Sequence, residues 1–331
     1  MIRAAVVILN YNGADYLRQF LPSLLQFSAG HRLIVADNAS TDTSHQVVKS
    51  FPGIEWVLLD KNFGFAEGYN QAIAQIHEEY LVLLNSDVLV TAGWLDSPLN
   101  HLASHPNVGA VQPKIKSFHQ PTHFEYAGAA GGWMDSLGYP FCRGRIFDSM
   151  EEDLGQFDEP SALFWASGAC FFTRRSVFQS LGGFDPLFFA HMEEIDLCWR
   201  MQKAGWTIAY DPSATVFHVG AGTLAADSPF KTYLNFRNSL AMLYKNLPVH
   251  QIFGKIFLRL TLDGIAGIRF LLQGKGSLTW AIIRAHGGFY ALLPQLKRST
   301  GNHTVLQGYW KNSILWSFFV RNKKTFNSLF S

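Results

Sequence analysis

Cysteine is scarce in this chain. The 331 residues contain three (Cys142, Cys170, Cys198), an odd number spaced far apart. That excludes a disulfide framework or a cysteine zinc site and points to a reducing compartment. No apolar run approaches the ~18 residues of a spanning helix. The N-terminus lacks a basic stretch followed by an apolar run and a cleavage site; Ala4 to Leu9 is too short and reads as a strand, so a cytoplasmic protein is expected. No G-x-G-x-x-G follows that strand and no G-x-x-x-x-G-K-[ST] occurs, which argues against a dinucleotide dehydrogenase and a P-loop enzyme. Acids are nearly absent from the last third. Beyond Asp227 there are 14 Lys and Arg but one acid, Asp263, so the overall +2 conceals a basic tail on an acidic remainder. No nucleic-acid motif accompanies that charge.

With 48% hydrophobic residues the chain has enough apolar content for one large domain and an extension. Ala4–Leu9, Leu33–Ala36, Ile54–Leu59 and Tyr80–Leu84 read as strands; the first is continuously apolar, as in a strand buried on both faces. Leu17, Phe20, Leu21, Leu24 and Leu25 give the first intervening helix its 3.6-residue period, and another helix is expected from about Phe65 to His77. Alternating strands and helices predict an α/β fold with a mostly parallel sheet. Asn10, Asp37, Asn62 and Asp87 fall at or just beyond the carboxyl ends of the strands, the edge where open α/β sheets bind ligands; each is also a residue that turns favour on their own account.

One cluster of acids sits among apolar residues: Phe188-Phe189-Ala190-His191-Met192-Glu193-Glu194-Ile195-Asp196-Leu197-Cys198-Trp199-Arg200. A helix starting near Glu193 pairs Asp196 with Arg200 and turns Glu194 about 100° from Glu193. Acids favour a helix N-terminus in any case. Aromatic walls would desolvate a carboxylate here and make it a better base near neutral pH, which singles out Glu194.

Six segments in order resemble family 2 glycosyltransferases of the GT-A fold. They are Val7-Ile8-Leu9-Asn10-Tyr11-Asn12-Gly13, Asp37-Asn38-Ala39-Ser40-Thr41-Asp42, Asn62-Phe63-Gly64-Phe65-Ala66-Glu67-Gly68-Tyr69-Asn70, Leu83-Leu84-Asn85-Ser86-Asp87, the Glu193–Arg200 run and His218-Val219-Gly220. The rhamnosyltransferase-like subgroup of cell-surface polysaccharide synthesis is the nearest in pattern. The resemblance implies that Asp37 holds the nucleotide base, with the turn at Asn10-Tyr11 packed against it and Asn12 also on the nucleotide-binding side. It places Asn62, Gly64 and Asn70 near the donor sugar. Asn85, Ser86 and Asp87 stand where the family carries its Asp-x-Asp, which binds Mg²⁺ or Mn²⁺ across the donor diphosphate, with His218 as a further ligand. Asn85 departs from that pattern and leaves a nucleotide-sugar-binding homologue without turnover as the alternative. Glu194 aligns with the base of an inverting transfer, Glu193 and Asp196 with neighbouring or acceptor contacts.

The expected reaction is nonprocessive transfer of a sugar, rhamnose among the candidates, from a nucleotide-diphosphate donor to a lipid-linked glycan. A processive synthase would show spanning helices and Gln-x-x-Arg-Trp, and neither is present. His119–Asp158, rich in glycine and aromatics, fits no period and reads either as a mobile loop over the acceptor site or as a structural insertion. The organisation expected is a catalytic domain over 1–225 and a basic, amphipathic helical extension over 226–331. Ile252, Phe253, Ile256, Phe257 and Leu260 form one apolar stripe of that extension; Leu278–Leu293 and Tyr309–Val320 are apolar with basic flanks. Such helices suit the membrane interface, predicting peripheral contact with the inner face of the cell membrane; packing on the catalytic domain or dimerising is the other option.

Overall fold

The computed structural model describes residues 2–220, 228–301 and 306–331. The expected boundary at 225/226 lies outside these. The strands are β1 (Ala4–Asn10), β2 (Arg32–Asp37), β3 (Ile54–Leu58), β4 (Tyr80–Asn85), β5 (Val88–Val90), β6 (Val108–Ser117), β7 (Gly132–Met134), β8 (Pro140–Cys142), β9 (Arg145–Ile146), β10 (Ser149–Met150), β11 (Ser161–Leu163), β12 (Cys170–Arg174) and β13 (Thr207–His218). The helices are α1 (Ala14–Phe27), α2 (Ser44–Lys49), α3 (Gly64–Ile73), α4 (Asp96–Ser104), α5 (Arg175–Ser180), α6 (Glu193–Lys203), α7 (Pro229–Asn246), α8 (Val249–Leu272) and α9 (Gly276–Leu292).

Among the described residues a nine-stranded sheet runs β11-β13-β6-β12-β4-β1-β2-β3, with β5 paired to β13. β3, β2, β1 and β4 are parallel, as are β6 and β13, while β12 runs antiparallel between β4 and β6. The apolar run of β1 divides between two cores: Ala5 and Val7 join one face, Ala4, Val6 and Ile8 the other. This is the two-residue alternation of a strand covered on both sides. Register then fixes the ligand edge. Asn10 pairs with Asp37 and Leu9 with Asn85, so the polar strand ends lie side by side.

β3 is an edge strand, only partly buried, and α3 ends at Ile73, short of His77. His218 closes the 12-residue strand β13. Residues 119–158 are largely a packed layer, in which β7–β10 form a four-stranded sheet and Phe124, Phe141, Ile146 and Phe157 are buried. Two strands of two residues and two of three leave no period to read. The C-terminus returns over this layer, setting Phe326 against Trp133, Phe141 and Phe157.

The stretch beyond 228 packs unevenly. In α7, Leu240, Ala241, Met242 and Leu243 are fully buried in the larger core. α8 is inverted: its buried residues are Ile256, Arg259, Asp263 and Gly267, while Phe253 and Leu272 are 85% and 84% exposed. Arg259 donates to the Leu137 and Gly138 carbonyls at 3.1 and 3.0 Å, and Asp263 meets His286 at 3.3 Å. The one acid of the tail is therefore taken inside.

Candidate functional site

At the β1–β2 edge Asn10 donates to Asp37 Oδ1 at 2.8 Å, and Ser40 donates to both oxygens of Asp37, from N at 2.8 Å and from Oγ at 2.6 Å. Asp37 is 1% exposed. The resemblance gives this carboxylate a contact with a nucleotide base; in the structure its hydrogen bonds also hold the loop together. The exposed rim consists of Tyr11, Asn12 and Thr41, with Asn12 Oδ1 accepting from Thr41 N at 2.8 Å. Asp42, a residue the sequence analysis did not weigh, accepts from Ala14 N at 2.9 Å and Ser44 N at 3.0 Å, tying together the starts of α1 and α2.

Asn38 carries the loop onward by donating to Asn62 Oδ1 and the Gly64 carbonyl at 3.1 and 2.8 Å. Gly64 has φ +77°, and a Cβ there would lie 2.5 Å from the Phe189 ring, so this glycine is needed for both backbone angle and approach. Phe65 N and Ala66 N donate to the Phe189 carbonyl at 2.6 and 3.1 Å, joining α3 to the turn before α6. Asn70 lies elsewhere. Its side chain bonds both backbone groups of Phe184 at 2.8 and 3.0 Å.

β4 and β13 bring Asn85, Ser86, Asp87 and His218 together. His218 Nε2 lies 3.1 Å from Asp87 Oδ1 and 3.5 Å from the Asn85 amide, and Nδ1 lies 3.1 Å from Glu125 Oε2. Glu125 was not singled out in the sequence, since it comes from the aperiodic segment and only folding places it beside His218. Burial lowers the His218 pKa, but the two carboxylates outweigh it and raise the imidazolium to about 10. Burial likewise raises Asp87, and His218 reverses this to leave the carboxyl below its ordinary value. Asp87 and His218, the latter after giving up its proton, with Asn85 beside them, are the residues that would hold a divalent cation. Among the described residues no cluster of three or more His, Cys, Asp or Glu is arranged for a metal. An ion here would draw its remaining oxygens from a diphosphate and water.

α6 begins at Glu193 after a backbone in which Phe189, His191 and Met192 all have positive φ (64°, 68° and 75°). Positive φ in non-glycine residues costs free energy and clusters at functional sites. Glu193 Oε2, Glu194 Oε2 and His191 Nε2 are buried without a hydrogen-bond partner. Burial raises the Glu194 carboxyl to about 7, and burial plus the Glu194 charge raises Glu193 well above the ordinary carboxyl value. Burial and Lys231 lower His191 to about 4, keeping it neutral. Its unpaired nitrogen makes His191 a site residue that the sequence analysis passed over.

Asp196 does not join this group. It is fully buried, accepting from Arg200 at 2.8 Å, Lys245 at 2.8 Å and Asn246 at 2.7 Å. The pairing with Arg200 is the one its spacing predicts; the carboxylate anchors α6 to α7 and offers nothing to an acceptor.

The parts are linked in space. A Cβ on Gly13 would meet Asn10 Oδ1 at 2.5 Å and Ser86 Oγ at 3.5 Å, so the β1 and β4 ends share one corner. The loop from Asp37 reaches the turn before Glu194 through Asn38 and Gly64.

The profile of Glycosyl transferase family 2 matches residues 5–182. An N-acetylglucosaminyl-diphospho-decaprenol L-rhamnosyltransferase of Mycobacterium tuberculosis is 29% identical over 291 residues, covering 82% of this chain and 93% of that protein. Rhamnosyltransferase WbbL of Escherichia coli (strain K12) is 22% identical over 224 residues, 64% of this chain and 82% of that one. In fold, the chain is similar to a mannosyltransferase, PcManGT of Pyrobaculum calidifontis, solved with GDP-Man and Mn²⁺, at a TM-score of 0.53 and 16% identity over 87% of each chain. The fold is GT-A, and the chain belongs to glycosyl transferase family 2 as a glycosyltransferase resembling rhamnosyltransferases of polysaccharide synthesis.

Proposed function

We propose that this enzyme moves a single sugar, rhamnose in the leading reading, from a nucleotide-diphosphate donor to a lipid-linked glycan with inversion at the anomeric carbon. The observation that carries this is Glu194: an unpartnered buried carboxylate oxygen at the start of α6, beside a strained turn seated on the donor-side helix α3. A carboxylate raised to about 7 is a proton acceptor matched to neutral pH. Glu194 takes the proton of the acceptor hydroxyl. That oxygen forms the new bond to the anomeric carbon from the face opposite the diphosphate, and the sugar–phosphate bond breaks with its electron pair going to the diphosphate. In this reading the donor lies against Asn12, Thr41 and Asn62, with Asn10 and Asp37 holding the loop that carries them. Asp87 and His218, with Asn85 beside them, would hold Mg²⁺ or Mn²⁺, which supplies positive charge to the departing diphosphate. The name of the 29%-identical relative supports a lipid-diphosphate acceptor and rhamnose.

The inverted α8 supports a membrane-facing role for the tail on the cytoplasmic side. Phe253, Phe257, Ile265, Ile268 and Leu272 are exposed along its outer face, as are Trp280 and Ile283 on the next helix, α9. An apolar surface of this kind, with basic residues and no exposed acid among the described residues after 228, suits an anionic bilayer. No helix among the described residues is long and apolar enough to cross a membrane.

The test is nucleotide release from a panel of nucleotide sugars that includes dTDP-rhamnose, with Mg²⁺ or Mn²⁺ and a polyprenyl-diphosphate acceptor. Release that Glu194→Gln abolishes, with donor binding retained, supports the proposal. Binding without release under every condition supports the inactive homologue instead.

A further inference from the structure

The turn that delivers Glu194 is unfavourable by itself, and the structure shows what holds it. Asn238, fully buried on α7, donates from its one amide group to the carbonyls of Phe188, Ala190 and His191 at 2.9, 2.8 and 2.8 Å. Its neighbour Arg237 donates to the carbonyls of Leu187 and Phe188, both at 3.0 Å, and to Asn238 Oδ1 at 2.8 Å. The carbonyl between, that of Phe189, is taken by the N-terminus of α3. Every carbonyl from 187 to 191 is therefore held by another element.

A backbone with three non-glycine residues at positive φ persists only where its surroundings over-determine it. Relaxed to ordinary angles, the chain would enter α6 from another direction, and Glu194, the second residue of that helix, would move with it. Buried carbonyls facing no donor would add to the cost.

We infer that Arg237 and Asn238 are positioning residues for catalysis: together they lock the Leu187–His191 backbone in the conformation that aims Glu194 at the acceptor hydroxyl. The inference rests on the reading of Glu194 as the base. It makes α7 part of the catalytic machinery, although α7 follows the region of family resemblance. The donor geometry is specific. An aspartate at 238 has the same shape but no N–H, and would turn an anion toward three carbonyls.

The experiment compares Asn238→Asp, Asn238→Ala and Arg237→Ala with wild type in the full chain. Donor binding, kcat, KM and the pH dependence of kcat/KM are measured with a polyprenyl-diphosphate-sugar acceptor. Misplacing a reacting group by about 1 Å costs on the order of a hundredfold. Asn238→Ala is therefore expected to lower kcat about a hundredfold with donor affinity within about threefold of wild type. Its acid limb should shift below that of wild type as the loosened carboxylate gains water. Asn238→Asp should be at least as impaired, and Arg237→Ala, losing two of the five carbonyl bonds, less so. Should Asn238→Ala not fold, Arg237→Ala gives the same readout, a reduced kcat with a displaced acid limb. Unchanged kcat and acid limb in a folded variant overturns the inference, as does a loss confined to donor binding. Glu194→Gln separates the two ideas: if it keeps turnover, the base assignment fails whatever the 237 and 238 variants do.

Discussion

Replacing Glu194 with glutamine should stabilise the protein and inactivate it. The folded carboxyl keeps its proton up to a pH of about 7, whereas the unfolded one loses it near 4.5. Between those values the folded state binds more protons, so Glu194's contribution is fully favourable below about 4.5 and declines as pH rises to about 7. The difference of roughly 2.5 pH units sets a ceiling of about 3 kcal/mol. Glutamine cannot ionise and escapes this penalty. Glu194→Gln should then melt together with wild type at pH 4.5 and roughly 5 °C above it at pH 8. Removal of a general base should lower kcat by about 10²- to 10⁴-fold, while wild-type kcat/KM rises with pH through about 7. Differential scanning calorimetry across pH 4.5–8 and initial-rate assays over the same range check both halves. A glutamine variant no more stable than wild type at pH 8 would mean the carboxylate is hydrated there, and one with normal kcat would move the base to another residue. Either result refutes the reasoning.

Glu125→Gln should weaken Mn²⁺ binding about 10- to 100-fold by freeing the His218 ring, as loss of a carboxylate behind a ligating histidine does; calorimetric Mn²⁺ titration with nucleoside diphosphate present reads this, and unchanged affinity would leave Glu125 without that role. Lys245→Met strips Asp196 of one partner in a fully buried site and should destabilise by about 3–5 kcal/mol, seen as a lower denaturant midpoint in the full chain. Phe253→Glu with Leu272→Glu should reduce co-flotation with phosphatidylglycerol vesicles at least fivefold while leaving the melting temperature within 2 °C, because both side chains project from the fold. Unchanged flotation would reject α8 as the contact face. Deleting everything after 228 would be a poorer test, since α7 carries the partners of Asp196.

Much of the donor side is written locally. The continuous, short apolar run of β1, ended by Asn-Tyr-Asn-Gly, reads as a strand covered on both faces, and parallel pairing to its neighbours follows from the helices between them. Asn10, Asp37 and Asn85 then fall on one edge because each stands at a strand's carboxyl end. The acids of α6 are likewise visible as an island of charge in an apolar stretch. Chemistry at a strand end or helix start needs no knowledge of distant residues.

What the folded chain alone decided involves partners far apart in sequence. Glu125 meets His218 across 93 positions, Asp196 turns from the site because Lys245 and Asn246 claim it, and Asp37 is closed off by its own loop. The aperiodic residues 119–158 form a packed layer that the C-terminus covers through Phe326. Local pattern reports which residues prefer a face or a turn; it carries no record of which carbonyl or carboxylate a remote side chain will reach. That choice is made by burial, which leaves a polar group stable only where a partner arrives from another element.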